Sequence, residues 1–574
     1  MDEKQKERYQ VWKERATDDP DLCKELSEIA GDEAAIEDRF YRELAFGTAG
    51  LRGVIGAGTN RMNIYVVRKT TQAFAQYLLQ KTKEPSVAIS YDSRIKSELF
   101  AKEAASVLAA NGVKAYIYRQ LMPVPCLSFA VRELSCQAGI MVTASHNPAK
   151  YNGYKAYGPD GCQMTSESAD AILSLSKQID PFTDVKNMSF EDGLKQGLIC
   201  YIPQEVEDAY IAAVKACSVH PEALSSADLT VVYTPLNGAG NLPVRRILQE
   251  LGVSKVHVVA EQEQPDGNFP TCPYPNPEIR DALSLGLRDC KRVKPDILLA
   301  TDPDCDRMGI AVPDENGDYR LLSGNEVGAL LLEYICKERT ALGTMPKDPV
   351  AVKTIVSTDI VRCICDEYGV TLKNVLTGFK YIGEQIGLLE EAGEENRFIF
   401  GFEESYGYLA GGYVRDKDGV IASMLICEMT AYYRKLGVSV LEALAALYEK
   451  YGVYRHTTVS FLCEGVTGME KMVAIMKQIR SNRPRSIGGF AVEQYLDYQS
   501  SVAVNLKTGE ETTISLPKSD VLEYDLEGGS SVILRPSGTE PKIKAYYTAT
   551  GNSFAQAEEK EKKLQDDFTK ILGF

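Results

Sequence analysis

Short apolar, β-branched runs alternate with amphipathic stretches along most of this chain. Such runs stand at residues 87–91, 115–118 and 140–143, with helical spacing over 98–110. The same order returns at 229–233, 256–259 and 297–300, with helical spacing over 242–251. A third round follows at 350–356, 372–376 and 398–402, with a helical stretch at 358–367. Runs this short and this apolar, spaced by helices, predict strands in parallel sheets covered by helices on both faces. Three rounds predict three α/β domains of related topology, repeated in pattern rather than in residue identity. Two segments depart from the pattern. The first forty-odd residues read as helix, with Trp12, Ile29, Ile36 and Phe40 spaced among charges and few breakers. From about residue 449, short strands at 457–462, 531–534 and 543–548 and helices at 468–481 and 553–572 predict a smaller α+β domain. The expected division is 1–205, 206–325, 326–448 and 449–574.

Composition agrees with this count and narrows the partners. At about 150 residues per domain, 574 residues suggest four domains. Hydrophobic residues at 44% and charged residues at 25% are ordinary for chains that bury sizeable cores. With 64 basic and 80 acidic side chains the net charge is −16, which argues against nucleic acid or an anionic membrane as partner. It does not argue against one local cationic pocket. The 14 cysteines are scattered without a C-x-x-C pair, and only Cys363 and Cys365 are close. That usage predicts reduced thiols in a cytoplasmic protein. The charged N-terminus lacks a signal peptide's apolar core, and no apolar stretch approaches the ~20 residues of a membrane span.

The chemistry gathers where the third run of each round ends, the place where open parallel sheets bind ligands. The three loops are Thr143-Ala144-Ser145-His146-Asn147-Pro148, Asp302-Pro303-Asp304-Cys305-Asp306-Arg307 and Glu403-Glu404-Ser405-Tyr406-Gly407. Asp302, Asp304 and Asp306 repel one another unless a cation or several donors neutralise them. A hard, oxygen-preferring ion such as Mg²⁺ suits them. An EF-hand loop needs glycine at its sixth position and glutamate at its twelfth, where this chain has Arg307 and Pro313. An Asp-rich turn is the plainer alternative. Ser145 sits in no G-x-S-x-G elbow, and the other histidines stand at 220, 257 and 456. His146, directly after the serine, offers poor geometry for a base acting on its own neighbour. A serine that carries a phosphoryl group, neutralised by the aspartate-bound cation, fits better. Arg535-Pro536-Ser537-Gly538-Thr539-Glu540-Pro541-Lys542 combines an arginine, two hydroxyls and a glycine that exposes backbone amides. It can cradle phosphate, or can simply be a turn. No G-x-x-x-x-G-K-[ST] loop points to a nucleoside triphosphate. Arg52, Lys155 and Lys417 could add charge, although a lone loop cation is ordinarily solvated.

Together with Thr48-Ala49-Gly50-Leu51-Arg52-Gly53 and Arg415-Asp416-Lys417-Asp418-Gly419, these segments resemble the α-D-phosphohexomutase superfamily and, within it, the phosphoglucomutases. They stand in the family's order over nearly the whole chain. The resemblance implies three similar α/β domains, with mixed or parallel sheets, and a C-terminal α+β domain around a central cleft. It implies that Ser145 is a phosphoserine that donates and reclaims its phosphoryl group, with Arg307 bridging it to the metal loop. Asp302, Asp304 and Asp306, with an oxygen on Ser145, would hold Mg²⁺. Glu403 and Ser405 would grip sugar hydroxyls, and Arg535, Ser537, Gly538 and Thr539 the phosphate that is not reacting. Arg52, His146, Lys155, Thr377 and Lys417 match cleft positions, with Lys155 and Lys417 the better candidates for moving protons. The implied enzyme is an isomerase of carbohydrate metabolism, a monomer or homodimer, acting on small sugar phosphates with glucose 1,6-bisphosphate as intermediate and primer. Phe402, Tyr406 and Cys305 depart from the common pattern without removing a ligand. The Glu403-Glu404-Ser405 loop favours glucose phosphates. Mutases of pentose or mannose phosphates, or a sugar bisphosphate synthase, are the alternatives.

Overall fold

Strand order, more than strand number, is what repeats in this chain. A computed structural model describes residues 2–44, 50–463, 468–537 and 542–574. The first sheet holds β1 (Gly50–Val54), β2 (Ser86–Tyr91), β3 (Lys114–Ile117), β4 (Ala138–Val142), β5 (Tyr151–Tyr157) and β6 (Ile199–Tyr201), in the order β1-β5-β4-β2-β3-β6. The second holds β7 (Thr230–Thr234), β8 (Lys255–Val258), β9 (Ile297–Thr301), β10 (Met308–Pro313) and β11 (Tyr319–Leu322), in the order β11-β10-β9-β7-β8. The third holds β12 (Val350–Thr354), β13 (Thr371–Val375), β14 (Phe398–Glu403) and β15 (Gly407–Leu409), ordered β13-β12-β14-β15. In each, the first expected strand lies between the second and the third.

Those three strands are the ones the apolar runs predict, because burial on both faces leaves no polar alternation to confuse them. Every residue of β4 and β9 is buried. The sheets are mixed rather than purely parallel. β2 pairs in parallel with β3 and β4, while β5 runs antiparallel to β4 and β1 to β5. β10 likewise runs antiparallel to β9. The sequence hides β5 because its polar residues are buried for the site's sake and Gly153 breaks the run. A Cβ on Gly153 would lie 2.5 Å from the Thr143 carbonyl oxygen, so only glycine lets the strands meet there.

The expected N-terminal helical region is three helices, Glu3–Arg15, Pro20–Glu28 and Glu33–Phe40, each opened by an aspartate that accepts a backbone N–H. Pro20 and Gly31, at φ +88°, are the breaks. Trp12 anchors the group edge-on to Phe40, Tyr65 and Phe182, with ring centroids 5.5 to 6.0 Å apart.

The C-terminal sheet is larger than three strands. β16 (Val453–Leu462), β17 (Ser486–Ile487), β18 (Phe490–Asp497), β19 (Val502–Asn505), β20 (Glu511–Thr513), β21 (Leu522–Leu526), β22 (Ser531–Pro536) and β23 (Lys542–Gly551) run β16-β23-β22-β21-β18-β19-β20, with β17 on β18. All its pairs are antiparallel. β21 alternates buried and half-buried positions, β18 does so irregularly and β20 is exposed throughout, weaker signals than a continuous run. One face packs Tyr495, Tyr524, Val532 and Tyr547 against Leu564 and Phe568 of the helix Phe554–Leu572.

The chain forms two compact units: 1–323 with 382–401 and 405–437, and 324–381 with 402–404 and 438–574. Among the described residues no helix is long and apolar enough to cross a membrane. No disulfide joins any of the 14 cysteines.

The other face of the C-terminal sheet holds a half-buried titratable group with a consequence for stability. Burial first, then Asp525, pushes the Glu523 carboxyl up to about 8, although the Tyr498 hydroxyl donates to it. Folding therefore retains a proton on Glu523 that the unfolded chain releases above its ordinary carboxyl range. Stability then falls as pH rises through the window ending near 8. Glu523→Gln is expected to flatten the curve of melting temperature against pH between about pH 5 and pH 8. An unaltered slope would show that Glu523 titrates as in the unfolded chain.

Candidate active site

Each of the three strand-end loops turns on a non-glycine residue in the left-handed region: Ser145 at φ +51°, Cys305 at φ +50° and Tyr406 at φ +66°. Such residues are uncommon and concentrate at functional loops. Two of these loops meet within the first unit.

The serine loop leaves β4 and is held from behind. Arg94, buried, donates to four carbonyls of the loop: Ser145 and Asn147 through Nη2, and Pro148 and Tyr151 through Nη1 at 3.0 and 3.1 Å. Asp92 faces Arg94 at 3.3 Å and accepts from the Thr143 hydroxyl at 2.6 Å. That hydroxyl in turn accepts the Ser145 amide at 2.8 Å. Neither Asp92 nor Arg94 is among the residues picked out from the sequence. The available signal is Tyr91-Asp92-Ser93-Arg94, two charges directly at the carboxyl end of β2.

The acidic loop leaves β9 and folds onto its own first residue. Asp302 Oδ1 accepts the amides of Asp306 and Arg307 at 3.1 and 3.0 Å. Its Oδ2 accepts the Ser145 hydroxyl at 3.0 Å. Asp304 Oδ2 takes Lys155 Nζ at 2.9 Å and the Thr143 hydroxyl at 3.2 Å. Asp306 Oδ2 lies 3.2 Å from Lys417 Nζ and 3.7 Å from Lys155 Nζ. Lys417 is also paired with Asp416 at 2.8 Å, and Asp416 accepts from Tyr157. Neither lysine is solvated; both are buried against carboxylates. Cys305 fills a tight pocket, since a Cβ on Gly240 or Gly419 would come within 2.8 or 3.0 Å of its sulfur.

The triad fits a cation. Ligand atoms from Asp302, Asp304 and Asp306 lie within 4.8 Å of one another. Oδ1 of Asp304 and of Asp306 are buried without a hydrogen-bond donor, a costly arrangement for carboxylates. Oxygen-only donors of this kind suit a hard ion.

The charges are strongly coupled. Burial, then Asp304 and Asp306, drives the Asp302 carboxyl well above the usual range. Burial opposes ionisation of Asp306 too, but Lys417, Lys155 and Arg307 outweigh it and hold its pKa down. Burial disfavours the Lys155 ammonium, yet Asp304 and Asp306 reverse that and raise its pKa. His146 Nδ1 lies 3.1 Å from Ser145 Oγ, contrary to the poor geometry expected for adjacent residues. The left-handed turn at Ser145 accompanies that return of the ring. Burial, with Arg307 and Arg52, pushes the His146 pKa well below its usual value and keeps the ring neutral. Arg52, exposed on β1, donates to Asn147 Oδ1 at 3.3 Å, and Arg307 pairs with Glu278 at 2.5 Å.

The first unit thus brings together Arg52, Ser145, His146, Lys155, Asp302, Asp304, Asp306, Arg307 and Lys417, and also contains Ser405. Thr377, Glu403, Arg535 and Ser537 belong to the second unit. There Thr377 Oγ1 is buried without a hydrogen-bond partner, and Glu403 is buried at the end of β14. Arg535 sits near the end of β22, and the following Ser537 amide donates to the Lys542 carbonyl at 2.8 Å. Gly538 and Thr539 lie outside the described residues.

Residues 43–182, 208–317 and 323–451 match alpha/beta/alpha domains I, II and III of the phosphoglucomutase/phosphomannomutase family. A phosphoglucomutase of Staphylococcus haemolyticus is 36% identical over 541 residues, covering 94% of this chain and 95% of its own. One of Staphylococcus aureus is 36% identical over 556 residues, covering 96% and 97%. The fold matches the parafusin phosphoglucomutase of Paramecium (TM-score 0.68, 17% identity, 92% of this chain and 95% of that one). It also matches a phosphoglucomutase/phosphomannomutase family protein of Burkholderia thailandensis (TM-score 0.65, 19% identity, 92% and 96%). The conjunction of these motifs, this repeated strand order and relatives that match from end to end has one reading: the chain belongs to the phosphoglucomutase/phosphomannomutase family.

Proposed function

We propose that this protein is a phosphoglucomutase, interconverting α-D-glucose 1-phosphate and glucose 6-phosphate through a phosphoryl group carried on Ser145 and a glucose 1,6-bisphosphate intermediate. The observation that carries the reading is the Ser145 hydroxyl 3.0 Å from Asp302, at the junction of the serine and acidic loops. Identity to phosphoglucomutases over nearly the whole chain supports the sugar.

In this cycle the bond between phosphorus and Ser145 Oγ breaks as one forms to the free hydroxyl of a sugar monophosphate. The hydroxyl's proton leaves to a base in the site. The bisphosphate turns round, its other phosphate is returned to Ser145, and the isomeric monophosphate departs. Asp302, Asp304, Asp306 and an oxygen on Ser145 would hold Mg²⁺, which supplies neutralisation of the transferring group's charge. Lys155 and Lys417, paired with Asp304 and Asp306, would balance charge and move protons to and from the reacting oxygens. Arg52 and Arg307 add positive charge on the serine side. Arg535, Ser537, Gly538 and Thr539 would grip the idle phosphate, and Glu403 and Ser405 the sugar hydroxyls. Thr377 would bind substrate as well, a role its buried hydroxyl without a hydrogen-bond partner supports. Glucose 1,6-bisphosphate would prime the enzyme. A cytoplasmic location is the reading that fourteen cysteines without a disulfide support.

A coupled assay on the full chain with Mg²⁺ and the bisphosphate primer tests the reading. Glucose 1-phosphate is expected to have the highest kcat/KM among glucose, mannose and ribose 1-phosphates. A higher value for ribose 1-phosphate would make the protein a pentose-phosphate mutase, and accumulation of free bisphosphate as the main product would make it a synthase.

A further inference from the structure

Lys417 and Gly419 both touch the acidic loop. Lys417 Nζ lies 3.2 Å from Asp306 Oδ2, and the Gly419 amide donates to the Cys305 carbonyl at 3.0 Å. Asp418 stands between them, and the proposed cycle gives it no role. We propose that Asp418 is a positioning residue: it fixes the helix end that grips the Cys305 carbonyl, and so holds the acidic loop in its cation-binding shape. The inference rests on the metal half of the mutase reading above.

The loop's main chain shows what is held. Each carbonyl between Asp302 and Asp306 accepts an amide from a different segment. Pro303 takes that of Ala239, just ahead of the helix Asn241–Glu250, at 2.8 Å. Asp304 takes that of Val124, the first residue of the helix Val124–Glu133, at 3.0 Å. Cys305 takes that of Gly419, the first residue of the helix Gly419–Lys435. The first amides of a helix have no partner within it, and at these ends they serve the loop instead. They set the backbone of Asp304 and Asp306, whose buried Oδ1 atoms lack a donor.

The grip at Gly419 is close. A Cβ there would lie 2.7 Å from the Cys305 carbonyl oxygen, so the helix end has little room to shift. Asp418 keeps it in place. Its Oδ1 accepts the Val420 and Ile421 amides at 2.7 and 3.2 Å, capping the helix. Its own amide donates to the Tyr408 carbonyl at 2.9 Å. The Tyr210 hydroxyl lies 2.9 Å from both carboxylate oxygens, and the Tyr413 hydroxyl donates to Oδ2 at 2.6 Å. A buried carboxylate is costly unless donors meet it, and two amides and two hydroxyls meet this one. Tyr210 belongs to the helix Gln204–Ala216, so the cap is tied to a second helix as well as to its own. Cutting it loosens the Gly419 amide and, through Cys305, the aspartates on either side.

The test measures Mg²⁺ binding to the full chain by calorimetry without substrate, and by the rise in melting temperature that Mg²⁺ causes. Asp418→Ala is expected to weaken Mg²⁺ about tenfold or more, the scale for residues that support metal ligands from outside. Asp418→Asn is an equally good cap, and the tyrosine hydroxyls can turn to accept from its amide. It is expected to restore the native affinity, because the loop uses the position of residue 418 and not its charge. Ser439→Ala removes the cap of the helix Val440–Tyr451, in the other unit. It is expected to lower the melting temperature and leave Mg²⁺ affinity as it is. Native affinity in Asp418→Ala, equal losses in the alanine and asparagine variants, or a loss in Ser439→Ala would each overturn the proposal. Should Asp418→Ala not fold, Gly419→Ala decides. It keeps the cap but crowds Cys305, so it is expected to weaken Mg²⁺, and native affinity there overturns the proposal too. A native chain that does not respond to Mg²⁺ would overturn this inference together with the metal site. One that binds Mg²⁺ but turns over no glucose 1-phosphate would sink the mutase reading alone.

Discussion

Ser145→Ala is expected to lower turnover of glucose 1-phosphate by roughly 10⁴-fold or more, the scale seen when a covalent nucleophile is deleted. With the hydroxyl gone, Asp302 Oδ2 loses its donor at 3.0 Å and no hydroxyl remains at that position to carry the phosphoryl group. The loop should survive the change, because Arg94 and Thr143 hold it through its carbonyls and through the Ser145 amide. An unchanged melting temperature with lost turnover, and no radiolabel retained from ³²P-labelled bisphosphate, is the expected pair of results. Full activity in a folded Ser145→Ala protein would remove the phosphoserine from the mechanism.

Asp304→Asn is expected to cost roughly 10²- to 10³-fold in kcat, the order lost with one preorganised electrostatic partner of a transition state. The substitution keeps the shape and leaves a weaker acceptor for Lys155 and Thr143, both of which bond Asp304 Oδ2. It withdraws one of the two buried carboxylate oxygens that lack a donor. Metal linkage supplies a readout besides activity. A ligand that binds only the folded chain stabilises it by about 2.7 kcal/mol at a hundredfold excess over Kd. Mg²⁺ should therefore raise the melting temperature of the native protein, a chelator should reverse this, and Asp304→Asn should respond to neither. An equal rise in the variant would place the cation elsewhere.

The parts of this architecture legible in the sequence are those where burial is uniform. β4 and β9 are apolar throughout, and they lead straight into the serine and acidic loops. The family resemblance rested on those loops and is borne out by relatives that match from end to end. What escaped was held by tertiary contacts without a local pattern. β5 carries Lys155 on a strand whose buried polar residues mimic a surface, β18 and β21 bury only some of their positions, and β20 buries none. The N-terminal helices were divided by Pro20 and Gly31, two breakers with little apolar spacing around them. Asp92 and Arg94 touch the serine loop from some fifty residues away, a distance no motif spans. Adjacency in sequence does not reveal that His146 Nδ1 returns to within 3.1 Å of Ser145 Oγ, at a residue in the left-handed region.

Arg94's hold on four loop carbonyls also bears on how Ser145 can take part in two phosphoryl transfers per turnover. Ser145 must present its oxygen alternately bare and esterified, and a loop braced by contacts to that oxygen would relax at every exchange. A brace that touches only the main chain does not sense which state the side chain is in. The two half-reactions can then share one backbone geometry, so that loading and unloading the serine carry no reorganisation of their own.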